Sequence, residues 1–186
     1  MLRAPSLRRA PERVDTARLV LQRPRAVDVP EIFRRYAGDL EATRYLSWPV
    51  HVSEAQTRGF LAFSDDEWRR WPAGPYLVFA RDGGLLGGTG LSFETPDCAA
   101  TGYVFAKDAW GLGYATESLQ AMVDVARAVG VRLLYAVCHV DHRPSAHVLE
   151  KCGFERTAVL QRSVEFPNLA PGTLCDVFKY SRSLVK

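Results

Sequence analysis

Two glycines, Gly111 and Gly113, separate an apolar strand-like segment from an amphipathic helical pattern. That junction constrains the fold more than any other stretch, because strand, turn and helix must meet there and two positions carry bare backbone. The run reads Trp110-Gly111-Leu112-Gly113-Tyr114-Ala115-Thr116-Glu117. The first turn of a helix leaves its N–H groups unpaired, and its dipole places positive charge at that end. Glycines let another molecule approach those groups closely. The arrangement suits an anion, and phosphate in particular.

The flanking elements follow from residue patterns. Arg18–Arg23 alternates and meets Pro24, which predicts a strand. Asp28, Pro30 and the apolar residues up to Tyr36 predict a helix closed by Gly38. Ser53–Trp71 predicts a second helix, with Ser53 and Gln56 as a capping box and Phe60, Phe63 and Trp71 as its apolar side. Tyr76–Ala80 and Leu85–Phe93, joined across Asp82-Gly83-Gly84, predict a hairpin, and Ala99–Ala106 adds a third strand. Helix Thr116–Val129 puts Leu119, Met122, Val123 and Ala126 on one face and stops at Gly130. Val131–Val140 reads as a buried strand and 145–152 as a short helix ended by Gly153. Phe154–Arg162 and Thr173–Leu184 close the chain as strands. The expected class is α/β: a mixed, mostly antiparallel central sheet with flanking helices.

Three phosphate-binding readings compete at the turn. A P-loop requires Gly-Lys-Ser/Thr, which the chain lacks. A dinucleotide fingerprint requires a third small residue where Thr116 stands, and it opens a repeated βαβ unit. A plain structural turn is the third. A second motif downstream decides between them: Asp141-His142-Arg143-Pro144-Ser145, then Leu149-Glu150-Lys151-Cys152-Gly153-Phe154. With both motifs in order, the chain resembles the Gcn5-related N-acetyltransferase (GNAT) superfamily. It looks closest to the branch of ribosomal-protein N-terminal acetyltransferases, along nearly its whole length. One departure is His142, where that branch usually carries Asn; it adds a group that titrates near neutral pH.

The resemblance implies the acyl-CoA N-acyltransferase fold, with acetyl-CoA as co-substrate and no metal. It places the pyrophosphate on the backbone of Gly111, Leu112, Gly113, Tyr114, Ala115 and Thr116. The pantetheine arm would pair with Val104, Phe105 and Ala106, and His142 and Ser145 would complete the coenzyme site. Many relatives protonate the leaving thiolate with a Tyr at the position of Leu149 here. Ser145, one turn earlier, is the candidate for that task. Glu94 and His142 are the candidate bases, with His139, Asp141 or a water relay as alternatives. Glu117 in the first helical turn suits the helix dipole and needs no catalytic role. Tyr45, Trp48, Phe63, Trp68 and Trp71 are either pocket walls for the acceptor or helix packing. The acidic run Asp65-Asp66-Glu67 either attracts a cationic amine or is a solvated helix face. The acceptor implied is a protein N-terminus or a small-molecule amine. The rival reading is a non-catalytic acyl-CoA sensor.

Composition bounds the rest. The chain of 186 residues, 47% hydrophobic and 24% charged, suits one globular domain. A net charge of +3 with scattered Arg argues against nucleic acid. Residues 1–16 read as a basic, frayed arm and 17–184 as the acetyltransferase domain. Cys98, Cys138, Cys152 and Cys175 show no metal or disulfide spacing, and no window suits a membrane span. A cytoplasmic protein with reduced thiols is expected, and the branch resemblance also implies a homodimer.

Overall fold

The computed structural model describes residues 8–185. Eight strands form one sheet: β1 (Arg13–Asp15), β2 (Leu19–Gln22), β3 (Pro75–Ala80), β4 (Leu85–Thr95), β5 (Cys98–Phe105), β6 (Leu133–His139), β7 (Glu155–Glu165) and β8 (Leu174–Ser183). Their order is β1-β2-β3-β4-β5-β6-β8-β7. Every neighbouring pair is antiparallel except β5 and β6. A parallel pair needs a crossover, and helix α3 (Tyr114–Ala128) provides it. The mixed, mostly antiparallel class is as expected.

The parallel pair is short. Only Cys98, Ala99 and Ala100 face partners on β6, namely Leu133, Leu134 and Tyr135. Beyond them β5 stays with β4 as far as Phe105, and β6 stays with β8 as far as His139. The sheet therefore opens into a wedge. The glycine turn lies at the end of β5, and helix α4 (Arg143–Lys151) follows β6.

Helix α3 forms because Leu119, Met122, Val123 and Ala126 are fully buried on the sheet face that also carries Tyr76, Val78 and Leu134. Each large side chain buried there contributes about 1.5–3 kcal/mol. Both predicted glycine stops are complete Schellman motifs. Gly130 N–H donates to Arg127 O and Val131 N–H to Ala126 O. Gly153 N–H donates to Glu150 O and Phe154 N–H to Leu149 O. The opposite face carries a smaller cluster, where Ile32, Tyr36 and Ala37 pack on Leu77 and Leu85. Helix α1 (Val29–Ile32) continues there into a wider turn, Phe33–Ala37.

Three expectations change. The basic arm was expected to fray, but Arg13–Asp15 pairs with β2, and Ala10 is buried with its N–H on Pro72 O. Pro11 O accepts from the Tyr76 hydroxyl at 2.7 Å. Residues 1–7 of that arm lie outside the described residues. At helix α2 (Glu54–Arg70), Ser53 makes no side-chain cap. Gln56 Oε1 instead accepts from the N–H of Val52 at 2.6 Å, so the reach-back of a capping box exists one residue early. Phe63, expected on the apolar side, is 51% exposed.

Candidate active site

The glycine turn is built to leave backbone bare. Gly111 and Gly113 have φ of 73° and 80°, the left-handed region that other residues avoid. The first helical bond of α3 runs from Glu117 N–H to Gly113 O. Among the described residues, no acceptor meets the N–H groups of Gly111, Leu112, Gly113, Tyr114, Ala115 or Thr116. A Cβ at Gly111 would meet nothing within 4 Å. Such a cradle of bare N–H groups at a helix N-terminus suits an anion.

The turn is held from behind by a contact the sequence did not signal. Glu117 Oε1 accepts from Thr16 Oγ1 at 2.6 Å and from Arg18 N–H at 2.8 Å, and Oε2 accepts from Arg18 Nε at 2.7 Å. Arg18 Nη1 then donates to Leu112 O at 2.9 Å, and its guanidinium lies 4.8 Å over the Tyr114 ring. Burial pushes the Glu117 carboxyl up, but the bonds from Thr16 and Arg18 outweigh it and hold the pKa below its ordinary value. Glu117 therefore clasps the β1–β2 turn to the cradle.

Alternation along β5 decides which backbone groups face the gap. Ala106 N–H donates to Leu86 O on the β4 side, and Val104 O points at Gly87, where a Cβ would run into it. Gly102 O likewise accepts from Thr89 Oγ1 on β4. In an antiparallel ladder every second residue bonds to the same neighbour. The polar backbone groups of Val104 and Ala106 thus belong to β4, which corrects the expectation for these two residues. Ala106 O is also taken, by the N–H of Ala109. By the same alternation the backbone groups of Tyr103 and Phe105 face the gap, and the sequence reading named only Phe105 of the two. Phe105 O accepts from Trp110 Nε1 at 2.8 Å and retains one lone pair.

At the other side of the gap, Ser145 lies in the first turn of α4. Its Oγ lies 2.9 Å from Tyr103 Oη, and its carbonyl accepts from the same phenol at 3.1 Å. Ser145 does not cap the helix. His142, at the N-cap position, uses its carbonyl for Ser145 and Ala146 N–H and makes no side-chain cap. Its ring stacks on Tyr45, with centroids 4.3 Å apart. Burial, helped by neighbouring His139, lowers its pKa to about 4. The expected titration near neutral pH is therefore absent. His139 is buried, with Nδ1 accepting from Asp141 N–H at 3.1 Å and its ring edge-on to Phe166.

Glu94 stands apart from this group. It lies near the end of β4, where β5 and β6 are still paired, and its carboxylate accepts from the Tyr135 hydroxyl. The structure brings Ser145 and His142 to one end of the gap but not Glu94. The aromatic residues also divide. Trp68 packs edge-on to Tyr76, and Trp71 stacks on Phe93 in the main core. Only Tyr45 reaches the α4 end. Asp65 pairs with Arg23 and Asp66 with Arg69, so two members of the acidic run are engaged on their own surface. Among the described residues no group of His, Cys, Asp and Glu converges as a metal site, and no helix is long and apolar enough to cross a membrane.

The sheet thus splits between two helix N-termini, one of them with bare backbone N–H groups. Residues 18–155 match the family model for the acetyltransferase (GNAT) domain. The chain belongs to that family, whose activity is acetyl-CoA-dependent N-acetyl transfer. It is 23% identical over 175 residues to a Bacillus licheniformis protein described as the uncharacterized N-acetyltransferase p20, covering 91% of this chain and 95% of that one. Among solved structures, it superposes on a Salmonella typhimurium acetyltransferase that modifies the N-terminal serine of 50S ribosomal subunit protein L7/L12. The TM-score is 0.78 at 22% identity, over 90% of this chain and 96% of that one. Spermidine N-acetyltransferase from Vibrio cholerae, solved with CoA and spermine, gives 0.77 at 16%, over 91% and 97%. These two likenesses establish the fold.

Proposed function

We propose that the protein transfers the acetyl group of acetyl-CoA directly to a primary amine, either a protein N-terminus or a small-molecule amine. The observation that carries this reading is the wedge between β5 and β6, flanked by the glycine cradle and by Ser145. Bound acetyl-CoA supplies an activated thioester. The cradle N–H groups bind its diphosphate, and the exposed edge at Tyr103 and Phe105 pairs with its amides. Ser145 Oγ–H donates a hydrogen bond to the sulfur as negative charge gathers there. The N-terminus of α4 favours the same charge through its dipole.

The amine must lose a proton before it attacks. His142 is too weak a base for this at neutral pH, since its pKa lies near 4. Glu94 is bound to Tyr135, away from Ser145. We assign proton acceptance to water at the open side of the gap, and His142 acts as an aromatic wall with Tyr45. Relatives named for a ribosomal N-terminus and for spermidine support both acceptor classes. Four free cysteines fit a cytoplasmic setting.

Thiol release from acetyl-CoA, measured against a panel of spermine and short peptides with free Ser or Ala N-termini, tests the reading. Turnover on a peptide or on spermine selects the acceptor class. Tight CoA binding with no turnover on either would return the sensor reading. Absence of CoA binding would remove the cradle assignment.

A further inference from the structure

We propose that Tyr103 is a positioning residue for the transfer step: its phenol donates to Ser145 Oγ and so turns the serine hydroxyl hydrogen toward the leaving sulfur. The inference rests on the role proposed above for Ser145.

Tyr103 comes from β5 and Ser145 from α4, and 42 residues separate them in sequence. The phenol therefore links β5 to α4 beyond Ala100, where β5 and β6 no longer pair. Its oxygen stands 2.9 Å from Ser145 Oγ and 3.1 Å from Ser145 O. One phenol hydrogen serves two acceptors, and its choice sets the serine. If it goes to the carbonyl, the serine hydrogen points back at the phenol oxygen and is lost to the reaction. If it goes to Oγ, the serine hydrogen is released to point elsewhere. The carbonyl, inside α4, already has its helical partner, so Oγ is the needier acceptor. Negative charge on sulfur favours the same arrangement, because the chain Tyr O–H to Ser O–H to S⁻ strengthens cooperatively.

Tyr103 passes on no proton. Burial pushes its phenol well above the ordinary value, so it stays neutral throughout. The balance closes without it. The C–S bond breaks with its electron pair on sulfur while the N–C bond forms. The proton lost by the amine reaches the thiol through water. Tyr103 and Ser145 lower the cost of the intervening thiolate.

The test compares Tyr103→Phe, Ser145→Ala and the double variant, with Tyr103→Phe keeping the packed ring. With the best amine of the panel, Tyr103→Phe should lower kcat about tenfold and leave KM for acetyl-CoA within about twofold. It should add no further loss to Ser145→Ala. A second readout needs no acceptor: the thiol of bound CoA, titrated by thiolate ultraviolet absorbance, should have a raised pKa in each single variant and no further rise in the double. Unchanged kcat and thiol pKa in Tyr103→Phe, or losses that multiply in the double variant, would overturn the inference. If Ser145→Ala retains full kcat and thiol pKa, the serine assignment itself fails. If Ser145→Ala loses both and Tyr103→Phe loses neither, only the positioning role of Tyr103 fails.

Discussion

Helices α3 and α4 both point their N-termini at the same gap, yet they are built from different materials. At α3 the working surface is backbone, opened by two glycines with positive φ and held from outside by the Arg18–Glu117 ion pair. At α4 the working surface is side chain: the Ser145 hydroxyl, the Tyr103 phenol and the His142 ring, neutral and half-buried or deeper. Under the proposed function, the difference follows the charge each end would meet. A diphosphate is always an anion, so a fixed array of N–H groups suffices. A leaving sulfur is charged only during the reaction, so the groups around it must be hydrogens that reorient without ionising.

The largest expected effect tests the backbone end. Gly113→Val places a β-branched residue at φ of 80°, with its Cβ 3.3 Å from Arg18 Nη2. Strain of this kind costs about 1–3 kcal/mol, and the turn relieves it by moving the cradle. CoA affinity, by calorimetric titration, should fall about a hundredfold with the fold retained by circular dichroism. Gly111→Ala carries the strain without a neighbouring contact, so its loss should be smaller. Equal losses at the two positions would mean that Arg18 does not confine the turn. Next in size, Ser145→Ala removes a hydrogen bond to a charged group, worth about 1.5–3 kcal/mol. Its kcat should fall about thirtyfold with CoA affinity unchanged. A change confined to affinity would erase the contrast between the two ends.

The clasp should matter less. Arg18 is half exposed, with a side-chain accessibility of 50%, so solvent screens its pair with Glu117. Arg18→Gln should weaken CoA about threefold, through a looser turn, and leave kcat at saturating acetyl-CoA unaltered. The same contact sets a pH dependence. The carboxyl of Glu117 lies below its ordinary value of 4.5 in the folded protein. Its contribution is complete above 4.5 and is lost as pH falls through the lowered value. Thermal melts of wild type and Glu117→Gln should differ at neutral pH and converge in acid. A constant gap across that range would detach the clasp from the carboxylate's charge.

How legible each end was in sequence follows from the same contrast. The cradle was readable, because glycines, helix start and spacing are local. Gly130 and Gly153 were readable as stops for the same reason. Pairing of the pantetheine arm with β5 came through the family resemblance, but the phase of β5 did not. It depends on Ala106 bonding to Leu86, a ladder contact no periodicity reveals, so Val104 and Ala106 were chosen where Tyr103 and Phe105 face the gap. Period-2 alternation did tie Tyr103 to Phe105 and was the available signal. Arg18 and Thr16 lie about 100 residues from Glu117, with no pattern to connect them. For Glu94, residue type suggested a base, and only the fold puts its carboxylate beside Tyr135.

The smallest catalytic effect is expected at the residue that most departs from the family pattern. With its pKa lowered to about 4, His142 is neutral at physiological pH. A base that weak takes almost no proton from an alkylammonium group, whose affinity for protons is orders of magnitude higher. The rise of kcat/KM with pH should therefore keep its midpoint in His142→Gln, and a displaced acid limb would restore the histidine as base. Stability should respond where catalysis does not. The unfolded chain binds a proton at His142 from its ordinary value of 6.5 downward, while the folded chain refuses it until about 4. Wild type should thus lose stability across that interval as pH falls. The glutamine variant should lose less, because it has no proton to take up. A pH-dependent Tm difference alongside an unmoved rate profile would show that the ring holds its place by stacking on Tyr45 and not by proton transfer.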